Sequence, residues 1–131
     1  MARTDLHYET WSEERTRELI ADGLDVNEAD GQGLTPLHFA CTSWNPGAAK
    51  ALLEAGATVD PQDKWGNTPL RRSVGDHPNA LALVTLLLEY GANPTIENNY
   101  GHSPISLAHQ VQGTENLIPV LEAAATRFAK S

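Results

Sequence analysis

The stretch Gly33–Ala40, GLTPLHFA, returns as GNTPLRRS at Gly66–Ser73 and as GHSPISLA at Gly101–Ala108. The copies start 33 and 35 residues apart, a period at which one small helical unit stacks on the next. Each copy reads as a helix start. The Thr35 hydroxyl can accept from a first-turn backbone N–H that has no partner inside the helix. Pro36 follows at the first helical position, where a missing N–H costs little. Leu37 is the first core contact, and Ala40 keeps the helix narrow where its neighbour packs. Gly33 gives the preceding tight turn its backbone freedom. Thr68-Pro69-Leu70 with Ser73, and Ser103-Pro104-Ile105 with Ala108, repeat the arrangement.

A second signature closes each unit. LIADGLDVN (Leu19–Asn27), LLEAGATVD (Leu52–Asp60) and LLEYGANPT (Leu87–Thr95) align at the same period. Two large apolar residues end a helix, and Gly23, Gly56 or Gly91 follows where a left-handed residue is wanted. A fourth copy, VLEAA at Val120–Ala124, lacks that glycine, as a terminal unit would. The pattern predicts an all-α solenoid of about three full repeats behind an N-terminal capping helix, all in one domain. The units are 1–29 (tail and cap), 30–62, 63–97 and 98–125 (the C-terminal cap), with a fraying tail at 126–131. Helices are expected near 10–22, 35–42, 46–55, 68–75, 79–90, 103–110 and 114–125. Thr10-Trp11-Ser12-Glu13 fits a capping box, and Trp11, Leu19 and Ile20 give that first helix a partly apolar face. Residues 1–9 carry no pattern and are expected to be loosely ordered. Pro119 either lies in the first turn of the last helix or kinks it. The turns around 26–32, 59–65 and 95–100 should extend like fingers, since no segment alternates as a sheet strand does.

Charge is uneven. The chain carries a net charge of −8. Residues 1–30 hold nine acidic residues against Arg3, Arg15 and Arg17, a balance of −6. Such a face disfavours direct nucleic-acid binding, where phosphate neutralisation supplies much of the affinity. It would speed encounter with a basic protein, or simply keep a terminal cap soluble. The single Cys41 fits a reducing compartment. No charged-then-apolar leader opens the chain, and no run nears the ~20 apolar residues of a membrane span. A cytoplasmic protein is expected.

These motifs resemble the ankyrin repeat, and the likeness covers about Glu18 to Ala124. The resemblance implies stacked helix–turn–helix units with projecting finger turns. It also implies binding of a protein, without catalysis, through the finger tips and a concave face made by the first helices. On that likeness His38 should hydrogen-bond backbone between repeats, although Arg71 and Ser106 replace it in the other copies. Arg72 stands where an apolar residue is usual, and Trp44 where glycine is usual between the two helices.

Departures of this kind mark candidate functional residues. Arg71 and Arg72 lie on the first helix of the central repeat. Arg72 either joins an interface or pairs with Asp63 or Asp30; Arg71 is read as an interface residue. Gln32, Trp65 and Tyr100 take equivalent tip positions, with Lys64 and Asn99 just before the last two. Leu34, Asn67 and His102 lie two residues after each tip. Trp65 and Tyr100 on adjacent turns form an aromatic pair of the kind that dominates binding energetics. Trp44 and Asp76 would lie at the rim, or Trp44 would seal the core.

Catalytic and metal chemistry finds little footing. None of His7, His38, His77, His102 or His109 sits at a metal-ligand spacing, and one cysteine cannot build a structural zinc site. No cofactor is expected. Three roles remain, in this order: a module binding one protein partner, an inhibitor or immunity-type protein neutralising a basic toxic enzyme such as a nuclease, and an enzyme or metal-binding protein. A monomer is expected, with a homodimer through the C-terminal face as the alternative.

Overall fold

A computed structural model of the chain describes residues 12–129. Seven α-helices make up the described residues: α1 Glu13–Ala21, α2 Pro36–Thr42, α3 Pro46–Glu54, α4 Pro69–Ser73, α5 Ala80–Glu89, α6 Pro104–Gln110 and α7 Ile118–Ala129. A 3-10 turn, Glu115–Leu117, leads into α7. No strand occurs among them.

The repeated motif performs the predicted task three times. Thr35, Thr68 and Ser103 are the N-caps of α2, α4 and α6, and their hydroxyls accept from the N–H of His38, Arg71 and Ser106. Pro36, Pro69 and Pro104 open the three helices and are buried. The closing signature also holds: Gly23, Gly56 and Gly91 have φ of +90°, +93° and +92°. The first helix starts differently. Its cap is Ser12, which accepts from Arg15 N–H at 3.2 Å. The Thr10 capping box, the Trp11 contribution and the expected loose order of residues 1–9 fall outside the described residues. Pro119 lies in the first turn of α7, the first of its two predicted placements. The last helix runs past its expected end at residue 125 to Ala129. Helix α7 continues because its backbone ladder is unbroken there, and Thr126 Oγ1–H donates to the Glu122 carbonyl at 3.0 Å.

Packing follows from these elements. Helices α2, α4 and α6 form one layer, with α2 against α4 and α4 against α6. Helices α1, α3, α5 and α7 form the second, packed α1 on α3, α3 on α5 and α5 on α7. Leu37, Leu52, Leu70, Leu83, Leu87, Leu117 and Leu121 are fully buried between the layers. Burying one such side chain contributes about 2 kcal/mol. Ala40, Ser73 and Ala108 occupy one motif position and are all buried, so the first helices approach closely.

Polar stitches join neighbouring units. His38 Nδ1 accepts from Thr35 N–H at 3.0 Å, and its Nε2–H donates to the Asn67 carbonyl at 2.9 Å, as the resemblance implied. Burial holds the His38 imidazole below its ordinary pKa, which suits the neutral tautomer those two bonds require. Asn27 Oδ1 accepts from Thr58 N–H, and Asp60 Oδ2 accepts from Asn93 N–H one unit later. The finger turns are laced as well: Lys64 N–H donates to the Gln32 carbonyl and Asn99 N–H to the Trp65 carbonyl, both at 2.9 Å.

Candidate protein-binding surface

One side chain organises each finger. Asp30 Oδ1 accepts from the N–H of Gln32 and Leu34. Asp63 Oδ1 accepts from Trp65 and Asn67, and Asn98 Oδ1 from Tyr100 and His102. These bonds fold the backbone back on itself and leave the tip residue projecting. The third tip, Tyr100, is 72% exposed, while Trp65 is half-buried. Lys64 Nζ lies 4.6 Å, and Arg72 Cζ 5.6 Å, from the Trp65 ring centre.

The two arginines part company. Arg72 pairs with Asp63, Nη2 to Oδ2 at 2.7 Å and Nε to Oδ2 at 3.2 Å. The Arg72 side chain is 24% exposed and that of Asp63 fully buried. This chooses between the two carboxylates that the sequence left open. Asp63 lies on the turn just before α4, whereas the Asp30 carboxylate serves the preceding finger. Arg71 has no such partner. Its side chain makes no hydrogen bond or ion pair with the described residues, and its buried Nε lacks an acceptor. Burial first, and then the neighbouring Arg72, hold its pKa below the ordinary guanidinium value.

Around these residues lies an open recess of about 410 Å³. Gln32, Leu34, Trp65, Asn67, Arg71, Arg72 and Tyr100 line it, all of them singled out from the sequence, together with Asn98. Asn98 was missed as a lining residue because its motif position reads as turn-forming only. Its amide does both: while Oδ1 caps the turn, Nδ2–H donates to Asn67 Oδ1 at 2.9 Å. The signal was an asparagine where the other two repeats carry aspartate, which gives this turn a donor its counterparts lack.

The remaining candidates lie outside the recess. Asn99 spends its Nδ2–H on the Lys64 carbonyl, and His102 does not reach the lining. Trp44 is at the other end of α2. Its Nε1–H donates to the Ser73 carbonyl at 3.0 Å, and its ring stacks on His77 at 4.6 Å. Of the two readings of Trp44, the contacts are those of a seal between units. Its φ of +48° is the only positive value at a non-glycine among the described residues, which accounts for the glycine usual at that position. Asp76 is exposed beside the turn at Gly113.

Two findings bear on chemistry. Burial pushes the Cys41 thiol well above its ordinary pKa, so this side chain is poor in reactive thiolate. Among the described residues no group of three or more His, Cys, Asp or Glu side chains is placed to hold a metal ion. No helix among them is long and apolar enough to cross a membrane.

A family model described as "Ankyrin repeats (3 copies)" matches residues 6–98. The chain belongs to the ankyrin-repeat family. Ankyrin repeats are in general protein-interaction modules. The chain is 36% identical over 90 residues to ankyrin repeat and SOCS box protein 11 of Mus musculus, covering 69% of this chain and 27% of that protein. It is 33% identical over 104 residues to the Homo sapiens protein of the same name, covering 79% of this chain and 31% of that one. It is also 37% identical over 90 residues to BCL-6 corepressor-like protein 1 of Homo sapiens, covering 69% of this chain and 5% of that protein. This ankyrin-repeat chain thus spans under a third of the length of these relatives.

Proposed function

We propose that this chain recognises one partner protein through the recess between its finger turns and first helices, without catalysing a reaction. The observation that carries the reading is the recess itself, where Tyr100 stands exposed opposite Trp65 and an unpaired Arg71 completes the lining. Aromatic residues and arginine supply most hot-spot energy because they bury much area with little loss of freedom. Hydrogen bonds between successive fingers hold the surface in place before docking, which lowers the entropic cost of binding. The module is proposed to act as a monomer in the cytoplasm, a setting that the lone buried Cys41 suits. The net charge of −8 would speed encounter with a basic partner, a long-range effect separate from the contacts in the recess. The inhibitor reading gains no specific support from the relatives named above.

The test is affinity capture from lysate of the source cell with wild type and with the Trp65→Ala/Tyr100→Ala double variant, read by mass spectrometry. The expected result is one protein recovered near stoichiometry with wild type and lost with the variant. Equal recovery by both baits would show that partners bind elsewhere on the chain.

A further inference from the structure

We propose that the recess takes an extended peptide segment carrying an aspartate or glutamate side chain beside a large apolar one, with the carboxylate on Arg71 and the apolar group between Trp65 and Tyr100. The inference rests on the proposed binding surface and adds what that surface selects.

The chain as a whole is acidic, yet both charged side chains that line the recess are arginines. Arg72 is spent on Asp63. Arg71 is left half-buried with its guanidinium unpaired. A guanidinium remains protonated at neutral pH, so partial burial with no hydrogen-bonded acceptor, the nearby Asp63 carboxylate being engaged by Arg72, costs stability in the free protein. A carboxylate from outside would offset that cost, and planar guanidinium is suited to it through two parallel N–H donors.

A cationic ligand is the obvious rival, since Trp and Tyr together can hold an ammonium group. The Trp65 ring already lies against Lys64 Nζ and Arg72 Cζ. A third cation would meet both of those charges as well as Arg71. The aromatic pair is therefore left with its apolar function.

The carboxylate is that of an internal side chain and not of a free C-terminus. The lining draws on three successive turns, from Gln32 through Trp65 to Tyr100. A chain crossing them passes over Arg71 in mid-course. The Gln32 amide and the one Nδ2–H of Asn98 not given to Asn67, on either side, can bond its backbone.

The test is selection of random phage-displayed peptides on wild-type protein, followed by titration of the winning sequences as amidated peptides. The expected winners carry Asp or Glu next to Leu, Ile, Phe or Trp. They lose affinity about tenfold or more on Arg71→Gln, in line with a hydrogen bond to a charged group. Arg71→Lys keeps part of the preference, and Arg71→Gln melts at or above the wild-type temperature, because a desolvated unpaired charge has been removed. Winners that bind, fail on the Trp65→Ala/Tyr100→Ala variant and show no acidic position would overturn the carboxylate inference while leaving the binding surface standing. Winners that need a free terminal carboxylate would overturn the internal-segment assignment. Winners insensitive to the aromatic variant, or no winners at all, would overturn the binding surface and the inference with it.

Discussion

Replacing Gly66 by alanine separates two effects that a finger turn normally combines. Gly66 has φ +82° and Gly101 φ +79°, so an alanine at either must adopt a left-handed conformation. That costs roughly 1–2 kcal/mol for an L-residue. The surroundings differ. A Cβ at Gly101 would meet nothing within 4 Å. At Gly66 it would come to 2.6 Å from Asn99 Oδ1, 2.8 Å from Asn99 N and 3.0 Å from Asn98 Cα. Two of those atoms are backbone of the next finger. They cannot retreat without stretching the Asn99 N–H to Trp65 carbonyl bond, now 2.9 Å. Overpacking of this kind adds about 1–3 kcal/mol, and the weakened hydrogen bond up to about 1 kcal/mol more. Gly66→Ala should therefore destabilise by about 2–6 kcal/mol and Gly101→Ala by about 1–2 kcal/mol. Gly33→Ala, whose Cβ would lie 3.1 Å from Asp63 Cα, falls between them. Urea titrations followed by circular dichroism at 222 nm give the three values, taken with unchanged m-values. If Gly66→Ala and Gly101→Ala agree within about 0.5 kcal/mol, the fingers are not in van der Waals contact and the reasoning fails.

Four further outcomes are expected. Trp44→Gly should cost less than Trp44→Ala by about 1 kcal/mol in urea titrations, since both lose the Ser73 and His77 contacts but only glycine relieves the positive φ; a larger loss for glycine would contradict the assignment. Arg72→Ala should destabilise by about 1–3 kcal/mol, because the buried Asp63 carboxylate keeps its two backbone donors and loses its counter-charge. Tyr100→Ala should stay within about 0.5 kcal/mol of wild type, and a Tyr100 effect as large as that of Arg72 would place the ring in the core. For His38, folding lowers the pKa below its ordinary 6.5, so its contribution is fully present above that value and is lost as pH falls below it toward the folded-state pKa. Melting temperatures across that window should fall with acidification in wild type and lose this component in His38→Gln; an unchanged pH slope in the variant would assign the effect elsewhere.

Most of the fold was legible because its rules are local. A threonine or serine cap, a proline and a leucine start each first helix, and apolar pairs followed by glycine end the second helices, all within a few residues of one another. Repetition then forces stacking, since each unit leaves an apolar face that only its neighbour covers. The tips could be aligned for the same reason, so Gln32, Trp65 and Tyr100 were found by counting.

What counting could not reach was the use made of each side chain in three dimensions. The sequence allowed Arg72 to pair with Asp63, with Asp30 or with nothing. Only the backbone path through the turn before α4 brings Asp63 to Arg72, and it leaves the Arg71 side chain without a hydrogen-bond partner among the described residues. Trp44 read equally as rim or seal until the stack brought the Ser73 carbonyl and His77 beside it. Asn98 became part of the recess only when its amide met Asn67, 31 residues away in the chain. Capping, turns and apolar periodicity act between near neighbours in sequence, so the chain alone determines the helices and their stacking. The Trp44 contacts, the Asn98–Asn67 bond and the recess depend on distances between residues about one repeat apart, which exist only once the units have stacked, whereas the Arg72–Asp63 pair depends on how the turn between those two residues folds.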